Sequence, residues 1–119
     1  MRPLLFFKKS GSGICMEIKY IDPGIEQFIG RLDETTSAKL IRTIDLLERF
    51  GHALRMPHSK KIEERLFELR VTGRQSVRVF YTFHQETIVL LHGYAKKSQR
   101  IPEKELATTR RKRMGLAES

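Results

Sequence analysis

Three consecutive segments that read as β-strands constrain this chain more than anything else in it. They are Leu66-Phe-Glu-Leu-Arg70, Ser76-Val-Arg-Val-Phe-Tyr-Thr-Phe83 and Thr87 to Lys97, with Gly73 in the first turn and Gln85-Glu86 in the second. β-Branched and aromatic residues dominate them, a composition that suits a pleated, half-buried surface. Each also carries a cationic side chain at a strand position or end, where a purely structural sheet would more often have none. A sheet that fixes guanidinium and ammonium groups on one face is a surface for phosphates.

Alternation sorts these side chains into two faces. Phe67, Leu69, Val71, Val77, Val79, Tyr81, Phe83, Val89, Leu91 and Gly93 form the set expected beneath a helical layer. The opposite face then gathers Glu68, Arg70, Arg78, Phe80, His92, Tyr94 and Lys96, joined by Lys60 and Lys61 from the preceding loop. Cations interleaved with aromatics suit a single-stranded nucleic acid, whose phosphates pair and whose bases stack.

The helices are expected to come earlier in the chain and again at its end. Asp22-Pro23 is a helix start, an N-cap acceptor followed by a ring that pre-sets φ. The helix should run to about Leu32 and bury Ile25, Phe28, Ile29 and Leu32. A second begins near Thr35–Ser37, with Leu40, Ile41, Ile44, Leu47 and Phe50 as one stripe and Gly51 as its terminator. Residues 53–64 read as a loop. Ile101-Pro102 opens a last helix, expected to run from Pro102 to about Arg113, with Glu103 and Glu105 in its first turn and Arg110 to Arg113 in its last, a polarity that complements the helix dipole. Residues 1–15, with the linker-like Ser10-Gly-Ser-Gly13, read either as an extension ahead of a domain over 16–119 or as part of a first hairpin with the strand Glu17–Ile21.

Charge placement sharpens the reading. The net charge is +9, from 23 basic and 14 acidic residues. Up to Gly51 there are 8 Lys/Arg against 7 Asp/Glu, and from His52 onward 15 against 7, so nearly all the excess lies in the second half. Positive potential concentrated in this way raises encounter rates with polyanions. At 119 residues the chain fits one domain. No apolar run approaches the roughly 18 residues of a membrane span, and Lys8-Lys9 cuts short the apolar stretch of a secretory leader. A lone Cys15 excludes an internal disulfide and fits a reducing cytoplasm.

Each candidate has a plainer reading. Glu68 and Arg70 could form a cross-strand ion pair that merely satisfies the sheet. His92 in an apolar strand is more often a packing histidine than an acid or base. His52, His58 and His84 share no metal-ligand spacing, so no metal is expected. Gly11-Ser-Gly13 lacks the strand, helix and lysine of a phosphate loop, and Arg110-Arg-Lys-Arg113 is more commonly a helix-end cation cluster than a targeting run.

From Met16 onward the order of these segments resembles the RelE/ParE superfamily of bacterial toxins, in particular its phage-derived HigB-like branch in type II toxin–antitoxin systems. The matching stretches are Met16–Tyr20, Leu47-Glu-Arg-Phe-Gly51, Pro57-His-Ser-Lys-Lys61, Leu66–Arg70, Val77-Arg-Val-Phe-Tyr81, Leu90 to Lys97 and Ile101–Glu105. The resemblance implies an α+β fold, a small twisted, largely antiparallel sheet with two N-terminal helices on one face and a C-terminal helix. It implies a metal-independent, cofactor-free endoribonuclease that cuts mRNA on the ribosome by attack of a ribose 2′-OH on the adjacent phosphate, and so inhibits translation. Arg78 matches the family's strand arginine, Lys97 with Lys96 lies where a second arginine falls, and Arg70 matches a basic position at a strand end. Glu68 and His92 are candidates for the general base. Lys60, Lys61, Tyr94, Phe80, Arg100, Arg110 and Arg111 would contact RNA or the ribosome. Leu66 and Glu68 stand where the archetypal sequence has two lysines, and Glu103 near a tyrosine of the C-terminal helix.

The implied partners are mRNA, ribosomal RNA and a cognate antitoxin, a helix-turn-helix protein, with no membrane involved. The rival readings are a non-catalytic module that binds nucleic acid or antitoxin, and a ParE-like poison of DNA gyrase.

Overall fold

A computed structural model describes residues 15–117, and side chains through Leu116. The expected extension or extra strand over residues 1–15 therefore lies almost entirely outside the described residues. The order is β1 (Glu17–Tyr20), α1 (Pro23–Arg31), α2 (Glu34–Phe50), β2 (Ser59–Glu63), β3 (Leu66–Val71), β4 (Val77–His84), β5 (Thr87–Ala95) and α3 (Glu103–Ala117). The five strands form one sheet in the order β1-β5-β4-β3-β2. β2 through β5 pair antiparallel in succession, and β1 adds to β5 in parallel. The result is the small α+β, RelE-like fold expected from the sequence.

The early helices form for local reasons. Asp22 Oδ1 accepts the Gly24 N–H at 2.8 Å, and Pro23 occupies the first helical position of α1. Ile25 is buried, with Phe28, Ile29 and Leu32 packed against the same core. α2 begins earlier than Thr35–Ser37: Asp33 is its N-cap, and the Ser37 N–H donates to the Asp33 carbonyl at 2.9 Å. Leu40, Ile44 and Leu47 are buried, whereas Ile41 and Phe50 flank the stripe at 38% and 49% exposure. Gly51 ends the helix at φ +52°, where a Cβ would also lie 2.9 Å from Met16 Sδ.

Residues 59–63, read from sequence as loop, are strand β2. Ser59 pairs with Leu69 and Lys60 with Glu68. Glu64-Arg65 closes this hairpin with Arg65 at φ +62°. Neither residue is a usual turn former, so the connection left no sequence signal.

Strict alternation also fails in β5. Phe80 pairs with His92 but Tyr81 pairs with Leu90, so Leu91 is an extra residue in β5. Such a bulge reverses which face the earlier residues serve. Ile88 and Leu90 therefore join Leu69, Val71, Val77, Val79 and Tyr81 beneath α1 and α2. Val89 and Leu91, expected there, instead form a second core with Leu66, Phe80 and Tyr94.

That second core is covered by α3, so the sheet face expected to be open is partly closed. Ile62, Ile101, Leu106 and Leu116 pack against it. Phe80 is fully buried and Tyr94 nearly so, their rings stacked at a centroid distance of 5.7 Å. α3 starts at Glu103 and continues to Ala117, which puts Arg110 to Arg113 in its middle and leaves no basic residue in its last turn.

Candidate functional site

β3, β4 and β5 bring Glu68, Arg70, Arg78 and Tyr94 to one place. Glu68 is opposite Phe80, Arg70 is opposite Arg78, and Arg78 is opposite Tyr94 in the strand register. All four fall on the face shared with α3, since they differ by even steps from one another in each strand. Glu68 Oε2 lies 3.8 Å from Arg78 Nε and 3.9 Å from Arg70 Nε.

The pair Glu68–Arg78 is buried, each residue about 5% exposed. Burial pushes the Glu68 carboxyl above its ordinary value, against the pull of Arg78 and then Arg70, Lys60 and Lys96. Burial likewise lowers the Arg78 guanidinium, with Glu68 opposing. Both partners thus say that desolvation outweighs their mutual attraction, the usual condition of an ion pair taken out of water. Arg78 Nη1 donates to its neighbour's carbonyl, Val77 O, at 3.1 Å. Arg78 Nε and Tyr94 Oη are buried without a hydrogen-bond partner among the described residues. The Tyr94 phenol is raised by burial and by Glu68, opposed by Arg78, with Glu105 adding to the rise.

Four cations therefore act on one carboxylate, a surplus of positive charge at the end of the sheet. Arg70 is about one-quarter exposed and rests its Nη1 against Met56 Sδ at 3.4 Å. Lys60 is exposed on β2, and Lys96, half-buried just beyond β5, donates to the Ser98 carbonyl.

The other expected residues divide differently. Phe80 and Tyr94 cannot offer open ring faces to bases, because α3 covers them. His92 turns to α3, where its Nε2 and Glu105 Oε1 are 2.6 Å apart. Lys61, expected beside Lys60 on this face, is opposite Phe67 in the register and so on the other face of the sheet, with Glu64 at 3.5 Å. Arg110 is held by both carboxylate oxygens of Glu63, at 3.2 and 2.7 Å, and Arg113 joins them at 3.4 Å. Lys97, Arg100 and Arg111 are exposed.

Sequence reasoning missed the ties that fasten α3. Lys112 Nζ is 3.1 Å from Asp22 Oδ2, which joins α3 to the cap of α1. Burial alone would raise the Asp22 carboxyl, but the bonds from Lys112 and Gly24 hold it below its usual value. The Arg110 bond does the same for Glu63, against its partial desolvation. A basic cluster offset against two acids far away in sequence was the only available signal, and spacing alone does not show such pairings. His52 is occupied in packing, stacked on Phe83 at 3.8 Å. Among the described residues no helix is long and apolar enough to cross a membrane.

Chemically, the cluster combines a desolvated carboxyl, a buried guanidinium, partly exposed cations and a phenol. Such a set can bind and polarise an anionic oxygen and hold a proton nearby. A comparison with curated proteins found no match. The family model described as "Phage derived protein Gp49-like (DUF891)" matches residues 27–114, from within α1 to within α3 and well over half of the chain. With the five-stranded sheet and its three helices, that match places the chain in the Gp49-like phage-derived family, a RelE-like family of toxin-like modules.

Proposed function

We propose that this protein is the HigB-like toxin of a type II toxin–antitoxin pair, a metal-independent endoribonuclease that cleaves mRNA on the ribosome. The observation that carries the reading is the Glu68 carboxylate surrounded by Arg78, Arg70, Lys60 and Lys96. An RNA phosphate is the anion that such a surplus lacks. A phosphate entering beside the partly exposed Arg70 would meet Arg70 and Lys96 first, with Arg78 Nε and Tyr94 Oη behind them as buried donors without a partner. Arg78 would then stabilise charge on the phosphorane-like state, with Lys96 and Lys97 orienting the backbone. Glu68, whose carboxylate is made more basic by burial, is suited when ionised to take the 2′-OH proton. Lys60, Lys61, Arg100 and Arg111 supply further contacts to RNA, and the cognate antitoxin is the expected neutralising partner.

The test uses the more accessible members, because Arg78 also supports the fold. Arg70→Ala with Lys97→Ala should relieve growth arrest and remove new 5′ ends in cellular mRNA mapped by primer extension, while circular dichroism stays unchanged. Undiminished cleavage by that variant at equal expression sinks the assignment. One observation favours a second reading: Arg78 is buried and engaged with Glu68, as in a module that binds nucleic acid or antitoxin without cutting. Growth arrest with no new 5′ ends would select that reading.

A further inference from the structure

At the edge of the sheet, a groove of about 510 Å³ runs between α2 and the corner formed by the start of β2 and the end of β3, where Arg70 also lines it. One wall is a stripe of α2: Lys39, Arg42, Leu46 and Arg49. These positions are spaced by three, four and three residues, so they share a face about 15 Å long at the helical rise of ~1.5 Å per residue. The facing wall contributes Pro57, His58 and Arg70, and Val71 and Leu46 give the groove apolar floor. Arg42 and Arg49 are exposed. Asp45 is the one acidic residue in the lining, against four Lys/Arg.

We propose that this groove docks an acidic, amphipathic segment of a partner protein. Charge selects the occupant. A second copy of this chain brings a net charge of +9 and is repelled. The chain's own first fourteen residues carry Arg2, Lys8 and Lys9 and no acidic residue, so they match the groove in sign rather than complementing it. A nucleic acid would satisfy the cations, but the lining has no Phe, Tyr or Trp on which a base could stack. A helix with carboxylates beside apolar anchors satisfies both the cationic rim and the apolar floor, the helix-in-groove mode of recognition. Docking here also reaches the cluster around Glu68, because Arg70 belongs to both. An occupant carboxylate that draws Arg70 outward removes one of the cations facing Glu68. The docking itself does not depend on RNA cleavage, and its test does not measure it.

The experiment is an NMR titration of the isotopically labelled full chain with three probes: a helical peptide of Glu and Leu in amphipathic register, its Lys-for-Glu counterpart, and a uridine oligonucleotide. The expected result is that the acidic peptide alone shifts amides from Lys39 to Arg49 together with His58 and Thr72. Arg42→Glu with Arg49→Glu, both exposed and helix-compatible, should weaken that binding by roughly tenfold or more, as loss of complementary charge at an interface does. Absence of shifts at about 1 mM peptide, a concentration that reveals even millimolar affinity, overturns the proposal. So do shifts confined to another surface, equal binding of the Lys peptide, an unchanged affinity in the double variant, or occupation of the groove by the oligonucleotide instead.

Discussion

Replacing Glu68 with Gln should cost far less than the nearness of Arg78 suggests, because burial has already set the carboxylate's desolvation against that attraction. The guanidinium is about 5% exposed and faces the Glu68 carboxylate at 3.8 Å, with a single carbonyl bond from Nη1 besides. At that separation and an effective dielectric of ~20, the gross attraction is roughly 4 kcal/mol. Against it stands the desolvation of the carboxylate, which holds the carboxyl above its ordinary value despite Arg78 and three further cations, so losing the charge relieves about as much as it forfeits. We take about 1 kcal/mol or less for Glu68→Gln, since the amide keeps the shape and can accept one hydrogen bond. For a domain of this size that corresponds to a change in Tm of no more than about 5 °C. Arg78→Met should likewise cost little, because the Glu68 carboxyl can protonate and still has Arg70, Lys60 and Lys96 about it. The double variant should be milder than the two single changes added together, as when a buried pair is replaced by apolar groups. Urea unfolding of the four proteins, followed by far-UV circular dichroism, closes the double-mutant cycle. Additive effects within about 0.5 kcal/mol would refute the claim that the two charges compensate each other.

Other expectations follow from the same geometry. The folded Glu68 carboxyl lies above its ordinary 4.5, so its contribution is whole below that pH and fades as pH rises through the folded value; Glu68→Gln should flatten this part of the urea-midpoint profile. Asp22 and Glu63 lie below their ordinary 3.8 and 4.5, so their contributions hold above those values and vanish as pH falls through the folded ones. Because those two acids anchor α3, hydrogen exchange in residues 103–117 should quicken on acidification or in Glu63→Gln before the central strands respond; simultaneous loss would show that α3 is not separately held. Gly93→Ala puts a Cβ 2.6 Å from the Phe28 ring and should cost about 1–3 kcal/mol by overpacking, read from thermal denaturation.

The parts of this structure that were legible in sequence are those set by local periodicity. The stripe Leu40, Ile44 and Leu47, the Asp22-Pro23 start and the Gly51 stop each announce themselves within a few residues. Three of the strands did so as well. β2 did not, because its five residues include Lys60, Lys61 and Glu63 and its turn is Glu64-Arg65. The site was half legible. Parity correctly put Glu68, Arg70, Arg78 and Tyr94 on one face, since no irregularity interrupts the pairing of β3 with β4 or of Arg78 with Tyr94. What parity could not foresee was the cover. α3 presents few apolar residues, Leu106 and Leu116 chief among them, and is fastened by charges whose partners lie on β2 and before α1. Long-range ion pairs of that kind have no signature in spacing, so Phe80 and Tyr94 were expected to be open when they are enclosed.

The single surplus residue at Leu91 uncouples the two halves of β5. Before it, the strand is tied to the requirements of the main hydrophobic interior; after it, His92 and Tyr94 keep a fixed aim whatever the earlier parity demands. Excising Leu91 would force a choice, rotating either Ile88 and Leu90 out of that interior or His92 and Tyr94 away from their partners. The irregularity is thus what allows one continuous segment to anchor the molecule and equip it chemically, and each half can change in sequence without dictating the orientation of the other.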